Sequence, residues 1–150
     1  MIVVAQRVSR AEVRVAGEVR GAIAHGLCLL ACAVEDDEDR AVHWLADKIV
    51  DLRMFADAED RTNLSLLDTA GAALVVPQFT LAADWRKGRR PSFTRSAEPG
   101  RAKALVATLC ARLVERGVSV EQGVFGDTMS VSLTNDGPFT LVLDSALAPG

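Results

Sequence analysis

The chain has 150 residues, a length typical of one domain, and its 49% hydrophobic and 25% charged residues are the composition of an ordinary globular protein. The net charge of −3 does not by itself indicate nucleic-acid binding. No apolar run is long enough to span a bilayer, and the opening residues lack the basic start and cleavage site of a signal peptide. We therefore expect a cytoplasmic protein without a membrane partner.

The first third of the chain alternates apolar and polar residues with the period of β-strands. Val13 and Val15 precede a turn at residues 16–18, and this pattern predicts a β-hairpin. Residues 26–34 are apolar on both faces, which predicts a strand that is covered on both sides.

A first helix is predicted to begin at Asp36 or Asp37, because both are suitable N-caps and apolar residues then recur at helical spacing through residue 52. Residues 57–69 are polar and rich in turn formers. Residues 73–76 are apolar and short, which predicts a buried strand.

A second helix is predicted to begin at Pro99, with an apolar stripe along one face and Gly117 as its C-terminal cap. Two final strands are predicted at residues 130–133 and 139–143. Together these elements predict one α+β domain over residues 1–145, with two main helices and a mostly antiparallel curved sheet or barrel. Residues 146–150 are expected to form a short disordered tail.

Three cysteines, Cys28, Cys32 and Cys110, make an odd count that argues against a disulfide framework. Cys28 and Cys32 lie in the predicted buried strand, where roughly 13 Å would separate them, too far for one tetrahedral metal ion. His25 and His43 have no Cys or carboxylate pattern around them. We therefore expect buried, inert cysteines, no metal and no cofactor.

The basic residues are concentrated in one segment. Residues 86–95 read RKGRRPSFTR, which places five of the 17 Lys and Arg together with no acid between them. The rest of the chain is correspondingly acidic. Concentrated positive charge predicts a local site for anions even on an acidic protein.

The common hydrolase signatures are absent from the sequence: there is no G-x-S-x-G elbow, no H-E-x-x-H and no P-loop. An enzyme of this sequence would have to use backbone donors, positioning and groups of its substrate. Two polar segments at strand ends, residues 77–81 and 134–140, are candidates for such a site. Their composition alone is equally that of a strand exit and a tight turn.

From end to end, the chain resembles the D-aminoacyl-tRNA (D-tyrosyl-tRNA) deacylase family. The resemblance is carried, in the family's order, by residues 4–8 with 11–13, 63–68, 78–81, 86–93, 125–126 and 135–140, the last of which fit the signature N-x-G-P-x-T. It implies a homodimeric hydrolase of the carboxylic ester between a D-amino acid and tRNA. It further implies activity on glycyl-tRNA(Ala), the tRNA acceptor end as partner, and no DNA partner.

The resemblance also implies a set of site residues. Gln78, Phe79 and Thr80 would form the catalytic part, and a cis Gly137–Pro138 pair from one subunit would enter the partner's site and exclude L-amino acids. Thr80 is a nucleophile candidate in the family, but no His, Lys, Asp or Glu lies within three residues of it. We favour Thr80 as a positioning group, because an unactivated hydroxyl is a poor nucleophile.

Binding roles are implied for a further set of residues. Arg7 would orient the Gly-Pro loop, and the terminal adenosine would lie near Phe79 and Met129. The implied substrate- and tRNA-binding residues are Arg7, Pro77, Phe125, Met129, Asn135, Arg86, Lys87, Arg89 and Arg90. Pro77 departs from the serine usual in the family and removes a hydroxyl and an N–H. A related animal-type branch with relaxed chirality also has proline there, whereas Phe79 and residues 135–138 resemble the D-specific branch.

Two other classes of function are compatible with the residues. The first is a non-catalytic RNA-binding module that uses residues 86–95, although the chain has few aromatic residues for a stacking sheet. The second is a metabolic hydrolase of small D-amino-acid esters, which would leave the basic segment without a role.

Overall fold

The computed structural model describes residues 1–149. Within that range the elements, in chain order, are β1 (Ile2–Val15), β2 (Glu18–Ile23), β3 (Gly26–Cys32), α1 (Asp39–Asp51), β4 (Phe55–Ala56), β5 (Thr62–Leu64), β6 (Ala72–Pro77), α2 (Pro99–Glu115), β7 (Ser119–Gln122) and β8 (Ser130–Asp144). The α+β architecture with two main helices is confirmed.

The long strand β1 organises the main sheet. It pairs antiparallel with β2 through its second half, with β3 through its first half, and with β8 along most of its length. Beyond β3 the sheet continues with β6 and β7, which are parallel to their neighbours. The parallel part was not predicted. It follows from the helices, because α1 and α2 are the crossover connections that parallel strands require.

The sheet curls until its two ends, β2 and β7, approach each other. Gly21 of β2 makes the approach possible, because a Cβ there would lie 2.9 Å from the carbonyl oxygen of Gln122 in β7. The two strands are not hydrogen-bonded neighbours, so the sheet is nearly closed into a barrel and sealed by close packing.

The apolar residues form two cores, one on each face of the sheet. The larger core lies under α1 and α2 and takes Leu27 and Leu29 from β3. The smaller core fills the barrel interior and takes Cys28 from the opposite face of the same strand, together with Leu74. The prediction that residues 26–34 are covered on both sides is thereby confirmed for β3.

The start of the first helix differs from the prediction. Helix α1 begins at Asp39 with Glu38 as its N-cap. Asp37 is instead buried and accepts hydrogen bonds from the Val34 N–H at 2.7 Å and the Ser145 hydroxyl at 2.6 Å, besides contacting the Met1 nitrogen. The Asp37 carboxylate, which the sequence suggested as an N-cap, thus joins Met1 and Ser145, which are far from it in sequence.

The second helix agrees with the prediction. Pro99 occupies its first turn, Glu98 caps it by accepting from the N–H groups of Gly100 and Arg101, and Gly117 follows its end with a φ of 91°. Ion pairs join the helices, with Arg112 and Arg116 both contacting Asp47.

The last strand and the tail also differ from the prediction. Residues 130–144 form one strand, β8, in which residues between Asn135 and Thr140 bulge out of register with β1. After it, Ser145–Leu147 form a 3₁₀ turn, so this part of the expected disordered tail is ordered, while Gly150 lies outside the described residues. None of the helices within residues 1–149 is long and apolar enough to cross a membrane.

Candidate functional site

A pocket of about 670 Å³ opens where β6 ends, between the sheet and the start of α2. Its walls bring together five of the residues singled out from the sequence: Pro77, Gln78, Phe79, Phe125 and Met129. Its remaining lining is mostly apolar and comes from β3, Val76, Phe93, residues 96–99, α2, residues 126–127 and Val131. A concave, largely apolar pocket with a few polar groups is the usual form of a small-molecule site.

The first wall of the pocket is the exit of β6. The Gln78 N–H donates to the carbonyl oxygen of Ala31 at 2.8 Å, which continues the sheet by one residue, and a 3₁₀ turn then begins at Phe79. The N–H groups of Phe79 and Thr80 have no acceptor among residues 1–149. Two adjacent backbone donors are therefore available at the pocket edge for a developing negative charge.

Thr80 does not line the pocket, and its side chain is exposed. Its hydroxyl oxygen accepts a hydrogen bond from the Gln78 side-chain amide. An amide cannot take a proton from a hydroxyl, and within the described residues no titratable group is hydrogen-bonded to Thr80. The geometry therefore provides no general base for Thr80.

Phe79 stands at the pocket mouth with 58% of its surface exposed, and its ring meets the edge of Phe93 at a centroid distance of 5.1 Å. Its carbonyl oxygen accepts from the Ser96 hydroxyl at 3.1 Å and the Cys32 thiol at 3.4 Å. Burial raises the pKa of the Cys32 thiol, so this cysteine is a neutral donor and not a nucleophile. Sequence reasoning missed Ser96, because nothing in the sequence relates it to Phe79.

The opposite wall is formed by Phe125 and Met129. The Met129 sulfur accepts from the Val124 N–H at 3.3 Å, and a Cβ on Gly123 would lie 2.8 Å from that sulfur and 3.5 Å from the Pro77 ring. Because Gly123 has no side chain, Met129 and Pro77 can both pack against its backbone. Pro77, the departure from the family's serine, is part of this packed wall.

The loop at residues 135–139 forms a separate exposed structure. Its Gly137–Pro138 peptide bond is cis, and Gly137 has a φ of 136°. The Asn135 side chain closes the loop by accepting from the Phe139 N–H at 3.0 Å and donating to the Thr140 hydroxyl at 2.7 Å. Neither Gly137 nor Pro138 lines the pocket of its own chain. Asn135, which the resemblance implies as a substrate-binding residue, thus closes this loop, and its part in substrate binding stays a prediction.

Arg7 holds this loop from beneath. Its Nε donates to the carbonyl oxygen of Asp136 at 2.9 Å, and its Nη1 donates to the carbonyl oxygen of Met54 at 2.6 Å. The guanidinium also lies 5.0 Å from the centre of the Phe139 ring, a cation–π distance. Arg7 therefore contacts the loop that the resemblance implies it orients, and its role in the site stays a prediction.

The basic segment forms a loop that is closed at its base by two backbone hydrogen bonds between Asp84 and Ser92, at 2.7 and 2.9 Å. Arg86 makes a bidentate ion pair with Asp84, which holds the pKa of that carboxyl well below its usual range. Lys87, Arg89 and Arg90 have no carboxylate partner in the described part of the chain. The charge available to a ligand is therefore smaller than the five cations suggested.

Sequence reasoning also missed Trp85, which is 75% exposed beside these cations. Its position directly before residues 86–90 was the signal that could have found it. Across residues 1–149, no group of three His, Cys, Asp or Glu is arranged to hold a metal ion, and both histidines are exposed.

Comparisons with known proteins agree on one family. Residues 4–144 match the family model described as D-Tyr-tRNA(Tyr) deacylase. A D-aminoacyl-tRNA deacylase of Chloroflexus aurantiacus is 56% identical over 146 residues, which cover 97% of this chain and 91% of that protein. A D-aminoacyl-tRNA deacylase of Thermus aquaticus is 54% identical over 151 residues, which cover 100% and 99% of the two chains.

Solved structures share the fold. The c-Myc DNA Unwinding Element Binding Protein superposes with a TM-score of 0.91 at 33% identity over 100% of both chains. A structure titled as a probable eukaryotic D-amino acid tRNA deacylase has a TM-score of 0.82 at 20% identity, over 95% of this chain and 97% of its own. The latter supports the fold alone. With a family model that spans nearly the whole chain, the protein belongs to the D-Tyr-tRNA(Tyr) deacylase family.

Proposed function

We propose that this protein is an editing hydrolase that cleaves the ester between a D-amino acid and its tRNA, and that it also accepts glycyl-tRNA(Ala). The observation that carries the proposal is the pocket at the end of β6, at whose edge the backbone N–H groups of Phe79 and Thr80 have no acceptor among residues 1–149, in a member of this family. Residues 1–145 would be the deacylase domain, and the substrate would place the activity in the cytoplasm.

The proposed chemistry uses backbone donors and a group of the substrate. Water adds to the ester carbonyl, the resulting oxyanion accepts from the Phe79 N–H, and the bond to the ribose oxygen breaks. The proton of the water passes to the leaving ribose oxygen by way of the neighbouring 2′-OH. A substrate whose terminal ribose lacks the 2′-OH is therefore expected to be hydrolysed far more slowly, in a single-turnover assay.

The proposed selectivity requires a second copy of the chain. The Gly137–Pro138 pair is exposed, and the loop that carries it is held by Arg7 and Asn135. The pair does not line the pocket of its own chain. We propose that it enters the partner's pocket, where backbone oxygens exclude an L side chain by steric clash. Glycine has no side chain to exclude, which is why glycyl-tRNA is included as a substrate.

The remaining binding residues complete this picture. The terminal adenosine would lie between Phe79 and Met129, and the acceptor-stem phosphates near Lys87, Arg89 and Arg90, with Arg86 held by Asp84 as a support of the loop. A phosphate role for these cations requires no base readout.

The decisive assay compares hydrolysis of D- and L-aminoacyl-tRNA carrying the same amino acid, with the free D-aminoacyl ester as a third substrate. We expect rapid release only from D-aminoacyl-tRNA. Binding without hydrolysis would favour the RNA-binding module, and equal rates on the free ester would favour the metabolic hydrolase. Comparable hydrolysis of L-aminoacyl-tRNA would assign the chain to a branch with relaxed chirality.

The exchange of loops can be tested by complementation. Phe79→Ala should damage the pocket and Gly137→Ala the loop, so each protein alone should have low activity. In a refolded 1:1 mixture, half of the dimers are mixed and each has one intact site, which restores about a quarter of the wild-type activity. Light scattering should give twice the chain mass of 16.0 kDa. A mixture no more active than its components would contradict the exchange.

A further inference from the structure

Trp85 is a large apolar side chain with 75% of its surface exposed, at the start of the loop between Asp84 and Ser92. The two backbone hydrogen bonds between Asp84 and Ser92 fix the base of the loop, and the Arg86–Asp84 ion pair fixes the residue after the tryptophan. The indole is therefore presented to solvent by an ordered segment. None of the hydrogen bonds, ion pairs or ring contacts found within residues 1–149 engages it.

The surroundings of Trp85 carry unpaired positive charge. Lys87, Arg89 and Arg90 follow it on the same loop and lack carboxylate partners within the described residues. An exposed aromatic ring among free cations is the combination by which proteins hold single-stranded nucleic acid, since bases stack on the ring while cations neutralise phosphates. A protein partner with an apolar patch would make no use of these charges.

The loop is also continuous with the pocket. Phe93 directly follows the closing residue Ser92, lines the pocket and packs edge-on against Phe79. A nucleotide whose aminoacyl group is in the pocket and which extends past Phe79 and Phe93 extends toward this loop. The next nucleotides of the same strand then lie in the direction of the loop.

From this arrangement we propose that Trp85 is a stacking platform for an unpaired base of the tRNA 3′ end, upstream of the terminal adenosine. The proposal rests on the proposed function and deepens it. It assigns to Trp85 the recognition of a single-stranded end, whereas Arg89 and Arg90 contact phosphates. The protein would then distinguish an aminoacylated 3′ overhang from a blunt helix by stacking.

The chain offers a direct spectroscopic test, because it contains two tryptophans and no tyrosine. The other tryptophan, Trp44, lies on α1 and is partly buried. In a Trp44→Phe background, Trp85 becomes the only strong emitter. We expect its fluorescence to be quenched by an acceptor-stem RNA hairpin with the unpaired 3′ end, and not by the same hairpin with a blunt end. Equal response to both RNAs would overturn the proposal.

Affinity measurements with the same hairpins separate stacking from general apolar contact. Trp85→Ala and Trp85→Leu are expected to weaken binding of the overhang hairpin about tenfold, within the range for loss of one stacked base, whereas Trp85→Phe restores most of it. Val114→Ala, an exposed apolar change on α2, is the control and should leave binding unchanged. Equal binding by the leucine and phenylalanine variants would exclude stacking.

The outcomes also distinguish this proposal from the proposed function. If wild type fails to deacylate D-aminoacyl-tRNA yet its Trp85 variants lose overhang binding, the function fails and the stacking site stands. If wild type deacylates normally and Trp85→Ala binds and reacts like wild type, the stacking site fails alone. A Trp85→Ala protein with an altered oligomeric state would show that the indole is buried between subunits, which also overturns the proposal.

Discussion

The end of β6 and the bulge of β8 are both polar interruptions of apolar strands, yet the chain treats them differently. At the end of β6, Pro77 and Phe79 are built into a pocket whose other walls come from the same chain. In β8, Gly137 and Pro138 project into solvent although Arg7 and Asn135 hold their loop firmly. The first region forms a pocket. The second is an ordered, exposed loop that fits into no pocket of its own chain.

The difference indicates how the two regions should respond to substitution. A residue that braces an exposed loop contributes little to the folded core, so its loss should affect activity more than stability. Thr80, which lies beside the pocket and has no general base, should show the smallest effect on activity. Four variants test this comparison in order of expected effect.

Gly137→Ala is expected to reduce the rate of D-aminoacyl-tRNA hydrolysis roughly a hundredfold, the cost of misplacing a site by about 1 Å. Gly137 has a φ of 136°, and an added Cβ would lie 2.9 Å from both Arg7 Nη2 and the Phe139 nitrogen. Because this strain is confined to an exposed loop, the protein should remain folded at the assay temperature, as differential scanning calorimetry can check. Activity within threefold of wild type would mean that the loop is not part of the site.

Arg7→Lys should lower the same rate by about tenfold, because one ammonium cannot reproduce a planar fork that donates to two carbonyl oxygens. The bonds at stake join Arg7 to Asp136 and Met54. Arg20→Lys, at an exposed ion pair with Glu18, serves as the matched control. An equal loss in the two variants would show that the effect is not specific to the loop.

Replacing Arg89 and Arg90 by alanine should weaken tRNA binding and lower the slope of log Kd against log salt by about 1 to 2, since each phosphate contact releases counterions. Hydrolysis of a short D-aminoacyl-adenosine should be nearly unchanged. Measurements of both at several salt concentrations would check this. Equal losses on the two substrates would place the loop in the catalytic pocket.

Thr80→Ala is expected to slow hydrolysis only a few-fold, because the hydroxyl is hydrogen-bonded to the Gln78 amide and has no base. Removal of a true nucleophile would instead cost several orders of magnitude. Rapid-quench kinetics on the wild type, with a search for an acyl-enzyme, distinguishes the two. A trapped covalent intermediate would restore Thr80 as the nucleophile.

The local patterns of the sequence were sufficient for the presence of both helices, for the two ends of α2 and for β3. Pro99 and Gly117 have specific roles at helix ends, and an unbroken apolar run has few alternatives to a strand buried on both faces. The start of α1 could not be predicted in this way. Asp37 has the chemistry of an N-cap, but its choice of Val34 and Ser145 depends on a segment that is about a hundred residues distant in sequence.

The site was predictable to a similar degree. Pro77, Gln78 and Phe79 are contiguous, so a single motif located one wall of the pocket, and resemblance supplied Phe125 and Met129. The pairing of Arg86 with Asp84 was missed because the window of basic residues was taken to begin after the acid. The Ser96 contact depends on how the loop folds back to Phe79 and has no local signature.

The Met129 sulfur lies between Gly123 and the Val124 N–H, and we expect it to make the pocket sensitive to oxidants. All three methionines lie in the described part of the chain, and Met129 alone is partly accessible, since Met1 and Met54 are buried. Conversion to the sulfoxide adds an oxygen and polarity to a side chain that has no spare room on its Gly123 side. Peroxide would then inactivate the protein through a thioether while its buried thiols remain intact, and a thiol reductant would not repair the damage.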